Sequence, residues 1–186
     1  MSSMETIIYG ASPMSPAKLA DAIRHWGPIF FQFFGQTEAP MVITHLKRAD
    51  HDLSRPDRLA SCGRPVPWMH VALLDEENQP VGPDESGEIC VRGPLVMDGY
   101  KDLPDETAEA LSGGWLHTGD VGRFDDEGYL YIVDRTKDMV ITGGFNVFPR
   151  EVEDVISEHR AVNSVMVIGV PDAKWGEAVK AVVVLQ

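Results

Sequence analysis

The chain contains little cysteine and no long apolar run. Two cysteines, Cys62 and Cys90, lie far apart among 186 residues, without the spacing of a zinc site or a disulfide scaffold. No stretch approaches the ~20 apolar residues that a membrane-spanning helix needs. The first ten residues also lack a basic start followed by an apolar run. We therefore expect a cytoplasmic protein without a transmembrane segment, in which Cys90 is a small core residue.

A general basic surface is also lacking. The formal net charge is −13, and residues 75–134 account for it, with 16 acidic side chains against 3 basic ones. This argues against nucleic acid or an anionic membrane as a partner. A solvated acidic face is enough to explain the excess of negative charge.

What the chain does have is an ordinary globular composition, with 44% hydrophobic and 24% charged residues. Apolar runs at 6–10 and 29–33 flank a helical pattern at 16–25, which predicts a βαβ unit with a parallel sheet. A third strand is expected at 41–45. We assign residues 1–60 to the end of a larger α/β sheet, of which this βαβ unit is a remnant.

From residue 67 the apolar period changes to two, and turn signals separate short strands. Residues 61–134 are therefore expected to form a small antiparallel, β-barrel-like subdomain. Residues 139–186 predict a hairpin around Gly143-Gly144, a helix at 150–159 and two further strands, the start of an incomplete α+β domain. The predicted fold class is thus α/β plus β, with a junction at 135–138.

Four segments carry candidate chemistry, and each has a simpler interpretation. The loop at 9–12 and the segment at 33–38 follow strands of parallel type, where ligands gather. In the second segment Phe34 offers a flat face to a base, Thr37 a hydroxyl to a phosphate, and Glu38 a hard oxygen to Mg²⁺. Ordinary strand-end turns would look similar.

The other two segments are a turn and a charged run. The turn that follows a short strand at 114–117 presents Asp120, whose carboxylate could accept both hydroxyls of a ribose. An exposed turn aspartate is the alternative. The run at 134–138 holds four charges between two apolar strands, with two basic residues flanked by two acidic ones. It is either a solvated rim or a junction where charges meet a ligand.

Taken together, the motifs resemble those of one family. Tyr-Gly-Ala-Ser, Phe-Gly-Gln-Thr-Glu, Gly-Glu-Ile-Cys-Val-Arg-Gly, Trp-Leu-His-Thr-Gly-Asp and Asp-Arg-Thr-Lys-Asp occur in this order. The series is similar to the core motifs of the adenylate-forming superfamily, which includes acyl-CoA synthetases, luciferase and peptide-synthetase adenylation domains. The resemblance is closest to fatty-acyl-CoA synthetases and covers nearly the whole chain.

The resemblance implies a nucleotide site. Gly10, Ala11 and Ser12 would lie along the adenine and the acyl pocket, and Phe34-Gly35 would bind adenine, with Phe34 stacking on it. Thr37 would hold the α-phosphate and Glu38 the Mg²⁺. The ribose positions implied by the family are Asp120, Ile132 and Arg135.

It also implies a two-step reaction. A carboxylate, fatty or aryl, would react with ATP to give acyl-AMP and pyrophosphate. The small domain would then rotate about a hinge at Lys137, and CoA would displace AMP. The segment Gly143-Gly144-Phe145 would belong to the face that turns inward for thioester formation, and Arg150 would lie near the CoA.

Two family features are missing from residues 1–186: the phosphate loop ending in Pro-Lys-Gly and the Gly-Lys lysine that contacts the carboxylate. We therefore expect a fragment that is inactive alone and that self-associates through an exposed sheet edge. The alternatives are an enzyme that loads a carrier-protein thiol and a non-catalytic nucleotide- or partner-binding module.

Overall fold

The computed structural model describes residues 3–12, 14–82, 85–135 and 138–186. The chain divides into two compact units. Unit 1 comprises Met1–Thr118 and Gly122–Ile132, and unit 2 comprises Gly119–Val121 and Val133–Gln186. Within the described part of the chain, no helix is both long and apolar enough to cross a membrane.

The first sheet of unit 1 contains the predicted βαβ unit. Strands β1 and β2 pair in parallel, and helix α1 connects them. Strand β3 pairs antiparallel with β2, and β4 pairs antiparallel with β3, which gives the order β1-β2-β3-β4. The bounds are Ile7–Gly10 for β1, Pro16–Trp26 for α1, Phe30–Gln36 for β2, Ala39–Leu46 for β3 and Arg64–Pro65 for β4.

Helix α1 forms where the sequence predicts it. Pro16 occupies its first turn, where the missing N–H costs no hydrogen bond, and Leu19 and Ile23 bury one face. These two side chains pack with Phe30 of β2 and with Leu59. The helix thereby covers one face of the β1–β2 pair, as a parallel pair requires.

The second sheet of unit 1 is open, so the barrel-like prediction is wrong. Its four strands lie in the order β5-β6-β7-β8, and the sheet does not close on itself. Four strands are too few to enclose a core as a barrel. Helix α2, Pro104–Ala110, precedes β7. The bounds of the strands are His70–Leu74 for β5, Gly87–Arg92 for β6, Leu116–Phe124 for β7 and Leu130–Arg135 for β8.

One apolar core joins the two sheets of unit 1. Its fully buried members come from both, and include Ile43 of β3, Ile89 of β6 and Leu130 of β8. Cys90 is 0% exposed, which confirms the prediction that it is a core residue. This common core fixes the loops at the strand ends relative to the rest of unit 1.

Unit 2 contains a four-stranded sheet and one helix. The sheet order is β10-β9-β12-β11, and the hairpin predicted around Gly143-Gly144 is confirmed by the pairing of β9 with β10. The bounds are Val140–Thr142 for β9, Phe145–Val147 for β10, Pro149–Ser157 for α3, Val162–Asp172 for β11 and Gly176–Leu185 for β12. A tight turn joins β11 to β12, in which the Asp172 carboxylate accepts the amides of Lys174 and Trp175.

Candidate functional site

The loop that follows β1 begins at a close approach of two strands. Gly10 pairs with Phe33 of β2, and a Cβ atom at residue 10 would overlap the Phe33 carbonyl oxygen. Ala11 has φ 62°, in the left-handed region that non-glycine residues rarely adopt, and both Ala11 and Ser12 are exposed. The loop therefore has a fixed, unusual backbone with accessible side chains.

Thr37 and Glu38 form the two-residue turn between β2 and β3. Gln36 pairs with Ala39 across the turn, Thr37 is exposed and Glu38 is half-buried. Because β1 and β2 are parallel, this turn lies at the same end of the pair as the loop after Gly10. Strand β2 continues for three residues beyond Phe33 before it reaches the turn, a distance of about 10 Å at the usual rise of a strand.

Phe34 and Gly35 lie within β2, whereas the sequence predicted a loop there. The Phe34 ring is 9% exposed and packs with Ala39 and Ile43 in the core of unit 1. The pairing of β2 with β3 shifts between Phe34 and Gln36, and a Cβ atom at Gly35 would lie 2.9 Å from the Met41 carbonyl. Gly35 therefore permits a bulge next to the turn, and adenine stacking on Phe34 stays a prediction.

Two contacts hold Glu38 that the sequence did not reveal. The Tyr100 hydroxyl donates to Glu38 Oε1 at 2.9 Å, and the Met97 amide donates to the Glu38 carbonyl at 2.8 Å. The hydrogen bond to Glu38 raises the pKa of Tyr100, with burial and the Glu38 charge adding to the effect. No motif spacing links position 38 to position 100, so only the folded chain shows this contact.

In unit 2, Asp120 and Arg135 form an ion pair. Arg135 Nε lies 3.2 Å from Asp120 Oδ1, and the side chains are 71% and 9% exposed respectively. Asp120 lies within β7 instead of in a turn, because the strand continues through Gly119 in the left-handed region, at φ 72°. The two residues expected at the ribose thus come together, although their ribose contact stays a prediction.

Asp134, the first residue of the charged run, is nearly buried. Asp134 is 9% exposed, and its two carboxylate oxygens accept the amides of Arg135 at 2.7 Å and Arg150 at 3.0 Å. Arg150 is the second residue of α3, so Asp134 caps the N-terminus of that helix. Lys137, the predicted hinge, lies outside the described residues.

Of the remaining predicted positions, Ile132 and Phe145 are exposed and Arg150 is half-buried. Ile132, on β8, is 37% exposed, and Phe145, next to the Gly143-Gly144 turn, is 75% exposed. The Arg150 guanidinium pairs with Asp154 at 3.0 Å one helical turn away. Ribose packing by Ile132 and the part of Phe145 and Arg150 in a thioester step stay predictions.

A further group of donors, Glu88, Cys90 and His117, lies within unit 1. Their potential ligand atoms lie within 4.8 Å of one another, and His117 Nδ1 is 2.7 Å from Glu88 Oε2. Burial raises the pKa of the Cys90 thiol to about 12, and Cys90 Sγ lies 3.5 Å from His117 Nδ1. We interpret the group as a hydrogen-bonded cluster in which the His117 ring contacts both the Glu88 carboxylate and the Cys90 thiol.

Glu38 offers a better cation ligand than the Glu88, Cys90 and His117 group, and the Thr37 hydroxyl can donate a hydrogen bond to a phosphate. Mg²⁺ prefers oxygen ligands and usually combines one or two carboxylates with substrate phosphates. A half-buried carboxylate beside an exposed hydroxyl in a two-residue turn fits that pattern.

The family model described as AMP-binding enzyme matches residues 1–101, and that of the AMP-binding enzyme C-terminal domain matches residues 151–186. The chain belongs to the AMP-binding enzymes. This family membership confirms the resemblance to the adenylate-forming superfamily that the motifs indicate.

Relatives are similar along the whole chain. A medium/long-chain-fatty-acid–CoA ligase of Mycobacterium tuberculosis is 62% identical over 186 residues, which are 100% of this chain and 32% of the relative. The solved structure of an amide bond synthetase from Marinactinospora thermotolerans superposes with a TM-score of 0.92 at 41% identity, over 99% of this chain and 37% of that one.

A third similar protein was solved with ligands. The o-succinylbenzoate CoA synthetase of Bacillus subtilis, in complex with ATP and a magnesium ion, has a TM-score of 0.83 at 36% identity, over 97% of this chain and 36% of that one. The chain therefore spans about a third of the length of the AMP-binding enzymes that it matches.

Proposed function

We propose that this chain provides part of the nucleotide site and the hinge of an ATP-dependent acyl-CoA ligase. In the first step a carboxylate oxygen attacks the α-phosphorus of ATP, and the bond to pyrophosphate breaks. In the second step the CoA thiol attacks the acyl carbon, and AMP leaves. The observation that carries the proposal is the Thr37–Glu38 turn, which lies in the part of the chain that matches AMP-binding enzymes.

The turn between β2 and β3 would serve the phosphates. Glu38 would hold Mg²⁺, and Thr37, whose side chain is exposed, would donate its hydroxyl to an α-phosphate oxygen. When bound, the ion offsets negative charge that develops as the phosphate bond breaks. The loop at Gly10, Ala11 and Ser12 leaves the same end of the β1–β2 pair and would line the adenine and the acyl group.

The ribose would be bound by the Asp120–Arg135 pair. Asp120 is buried and hydrogen-bonded to the guanidinium, so its carboxylate is held in one orientation. A carboxylate can accept two hydroxyl groups at once, and the exposed Arg135 can donate to a ribose oxygen from its outer face. Ile132 and Phe34 would supply the apolar contacts to ribose and adenine.

The second step would use the residues after the hinge. Lys137 would absorb the change in backbone angles, and the Gly143-Gly144-Phe145 turn would then face the thiol. Both glycines have positive φ, 57° and 85°, which keeps this turn tight and its Phe145 ring exposed.

The acid is expected to be a fatty or aryl carboxylate. The M. tuberculosis relative is named for medium- and long-chain fatty acids, and the B. subtilis structure for an aryl acid. Residues 1–186 contain no Pro-Lys-Gly phosphate loop, so the chain alone should release no pyrophosphate with either class of acid.

A chimera tests the proposed function directly. Residues 1–186 would replace the corresponding third of the M. tuberculosis ligase, and pyrophosphate release and acyl-CoA formation would be measured with fatty and aryl acids. We expect both products, and we expect Glu38→Gln to reduce kcat/KM at least about tenfold, because the metal ligand is removed.

The control for this variant is Glu76→Gln, which neutralises an exposed carboxylate in the same unit. Its kcat/KM should equal that of the parent chimera. A folded chimera that forms neither acyl-adenylate nor thioester from any acid would contradict the proposal. Pyrophosphate release without thioester formation would restrict the proposed function to the first step. A carrier-protein thiol would then be the next acyl acceptor to assay.

A further inference from the structure

Tyr100 belongs to none of the motifs, yet it contacts the side chain on which the proposed metal site depends. It is 36% exposed and lies between β6 and α2. Its hydroxyl donates to Glu38 Oε1 at 2.9 Å across 62 positions of sequence. Because the Tyr100 side chain is exposed, this hydrogen bond brings it little stabilisation through burial. The main effect of the contact is therefore to orient the Glu38 carboxylate.

The backbone around Tyr100 is itself fixed by α2. Its amide donates to Thr107 Oγ1 at 2.9 Å, and that hydroxyl donates to the Leu103 carbonyl at 2.7 Å. Gly99, with φ 152°, lies so close to Thr107 that an added Cβ would be 2.7 Å from its methyl carbon. The tyrosine is therefore presented by a rigid loop that ends on a helix.

The same loop also binds the backbone of Glu38. Met97 donates its amide to the Glu38 carbonyl at 2.8 Å. One loop thus holds both the main chain and the carboxylate of the residue at the tip of a two-residue turn. Since Tyr100 uses one oxygen, and a carboxylate offers about four lone-pair sites, the bond is compatible with coordination of a cation.

We propose that Tyr100 is a positioning residue that orients the Glu38 carboxylate for Mg²⁺. This inference rests on the proposed function, because it takes Glu38 as the ligand of the nucleotide's metal ion. A neutral hydroxyl orients the carboxylate without cancelling its charge, unlike a lysine or an arginine. Groups that hydrogen-bond metal ligands in this way commonly set the affinity for the metal.

Loss of the Tyr100 hydroxyl should leave the turn in place, since the Met97 amide still binds the Glu38 carbonyl.

The test is the gain in ATP affinity that Mg²⁺ produces, measured by calorimetry on the 186-residue chain with Mg²⁺ and with EDTA. Tyr100→Phe should reduce this gain about tenfold, a typical effect for a residue that supports a metal ligand, and should leave the affinity in EDTA unchanged. Glu38→Gln should abolish the gain, and the double variant should lose nothing more. A purely structural defect would instead lower the affinity under both conditions.

Tyr131→Phe is the matched control. Tyr131 also donates to a carboxylate, that of Asp125 at 3.1 Å, within the same unit. Its loss should leave the Mg²⁺-dependent gain intact. If Tyr100→Phe keeps the full gain while Glu38→Gln abolishes it, the inference is overturned and the proposed function stands. If Glu38→Gln keeps the gain, or the wild-type chain shows none, the assignment of Mg²⁺ to Glu38 fails and the inference fails with it.

Discussion

At the scale of single residues, the packing of two strands determines that residue 10 is a glycine. Gly10 begins the loop that is proposed to line the nucleotide. The family resemblance places Gly10 along the adenine and the acyl pocket. The structure shows a nearer neighbour, the Phe33 carbonyl of the paired strand, which a side chain at residue 10 would overlap. The glycine is therefore required by the β1–β2 pair even before a ligand binds.

Gly10→Ala is expected to destabilise the chain by about 1–3 kcal/mol, because the methyl group meets backbone that cannot rotate away. Urea unfolding followed by circular dichroism measures this loss. Gly82→Ala is the control, since a Cβ there meets only the flexible Glu85 carboxylate at 3.1 Å. Its effect should stay within about 0.5 kcal/mol, and equal losses in both variants would contradict the packing argument.

His51 gives a prediction about pH. It is 4% exposed, its Nδ1 donates to the Lys47 carbonyl and its Nε2 accepts from Tyr9. Burial lowers its pKa below 6.5, although the Lys47 carbonyl and Asp50 act in the opposite direction. The unfolded chain therefore takes up this proton first as the pH falls, so the free energy of unfolding should fall between about pH 7 and pH 5.

His51→Gln should reduce that slope, because glutamine does not titrate. Urea unfolding at several pH values compares the two proteins. Part of the slope should persist, since burial and Lys47 also lower the pKa of His45. Parallel curves for wild type and variant would show that His51 does not contribute.

At the scale of elements, helix α3 depends on a residue outside it. Phe148, at the N-cap position, makes no side-chain capping bond, and the Asp134 carboxylate accepts the Arg150 amide instead. A carboxylate at a helix N-terminus also interacts favourably with the helix dipole. The sequence placed Asp134 in a charged run but gave no indication of this long-range cap.

Asp134→Ala should therefore cost about 1–2 kcal/mol of the stability of unit 2, since two nearly buried amides lose their acceptor. Hydrogen exchange of the α3 amides reports the change locally, and Asp134→Asn should retain part of the protection. Asp154→Ala removes only the ion pair between Asp154 and Arg150. Because the Asp154 side chain is 55% exposed, its loss should cost less than about 0.5 kcal/mol. Similar loss of protection in the two alanine variants would argue against capping.

Most elements could be predicted from the sequence because local signals define them. Pro16 and Pro149 open helices, and Gly143-Gly144 closes a hairpin, each through its own backbone preference. Gly119 misled the prediction, since a glycine at this place indicated a turn, whereas its positive φ occurs inside the continuous strand β7. The Tyr100–Glu38 bond joins residues 62 positions apart, and such contacts depend on the packing of several elements at once.

At the scale of the whole molecule, unit 2 exposes much of its apolar surface. Val182 is 49% exposed and Val184 is 51% exposed on β12, and Met166 is 61% exposed on the adjoining edge strand β11. Because residues two apart in a strand share a face, Val182 and Val184 form a contiguous patch. Apolar patches and free sheet edges favour association with other chains.

We therefore expect the chain to self-associate as its concentration rises, as measured by sedimentation velocity. Replacing Val182 and Val184 by lysine should keep it monomeric over the same range, because the patch becomes charged. Lys180→Gln, on the same face of β12, changes charge without removing apolar surface and should not restore the monomer. A wild-type chain that stays monomeric throughout would refute this expectation.

The division of β7 between the two units has a consequence for where the gene can be cut. Gly119–Val121 belong to unit 2 although Leu116–Phe124 is one strand, so the chain enters that unit before it reaches Val133. A coding segment that starts at codon 139 would omit these three residues and the Asp134 carboxylate that caps α3. A segment that starts at codon 116 would carry both, and we expect it to give a folded C-terminal unit when expressed separately.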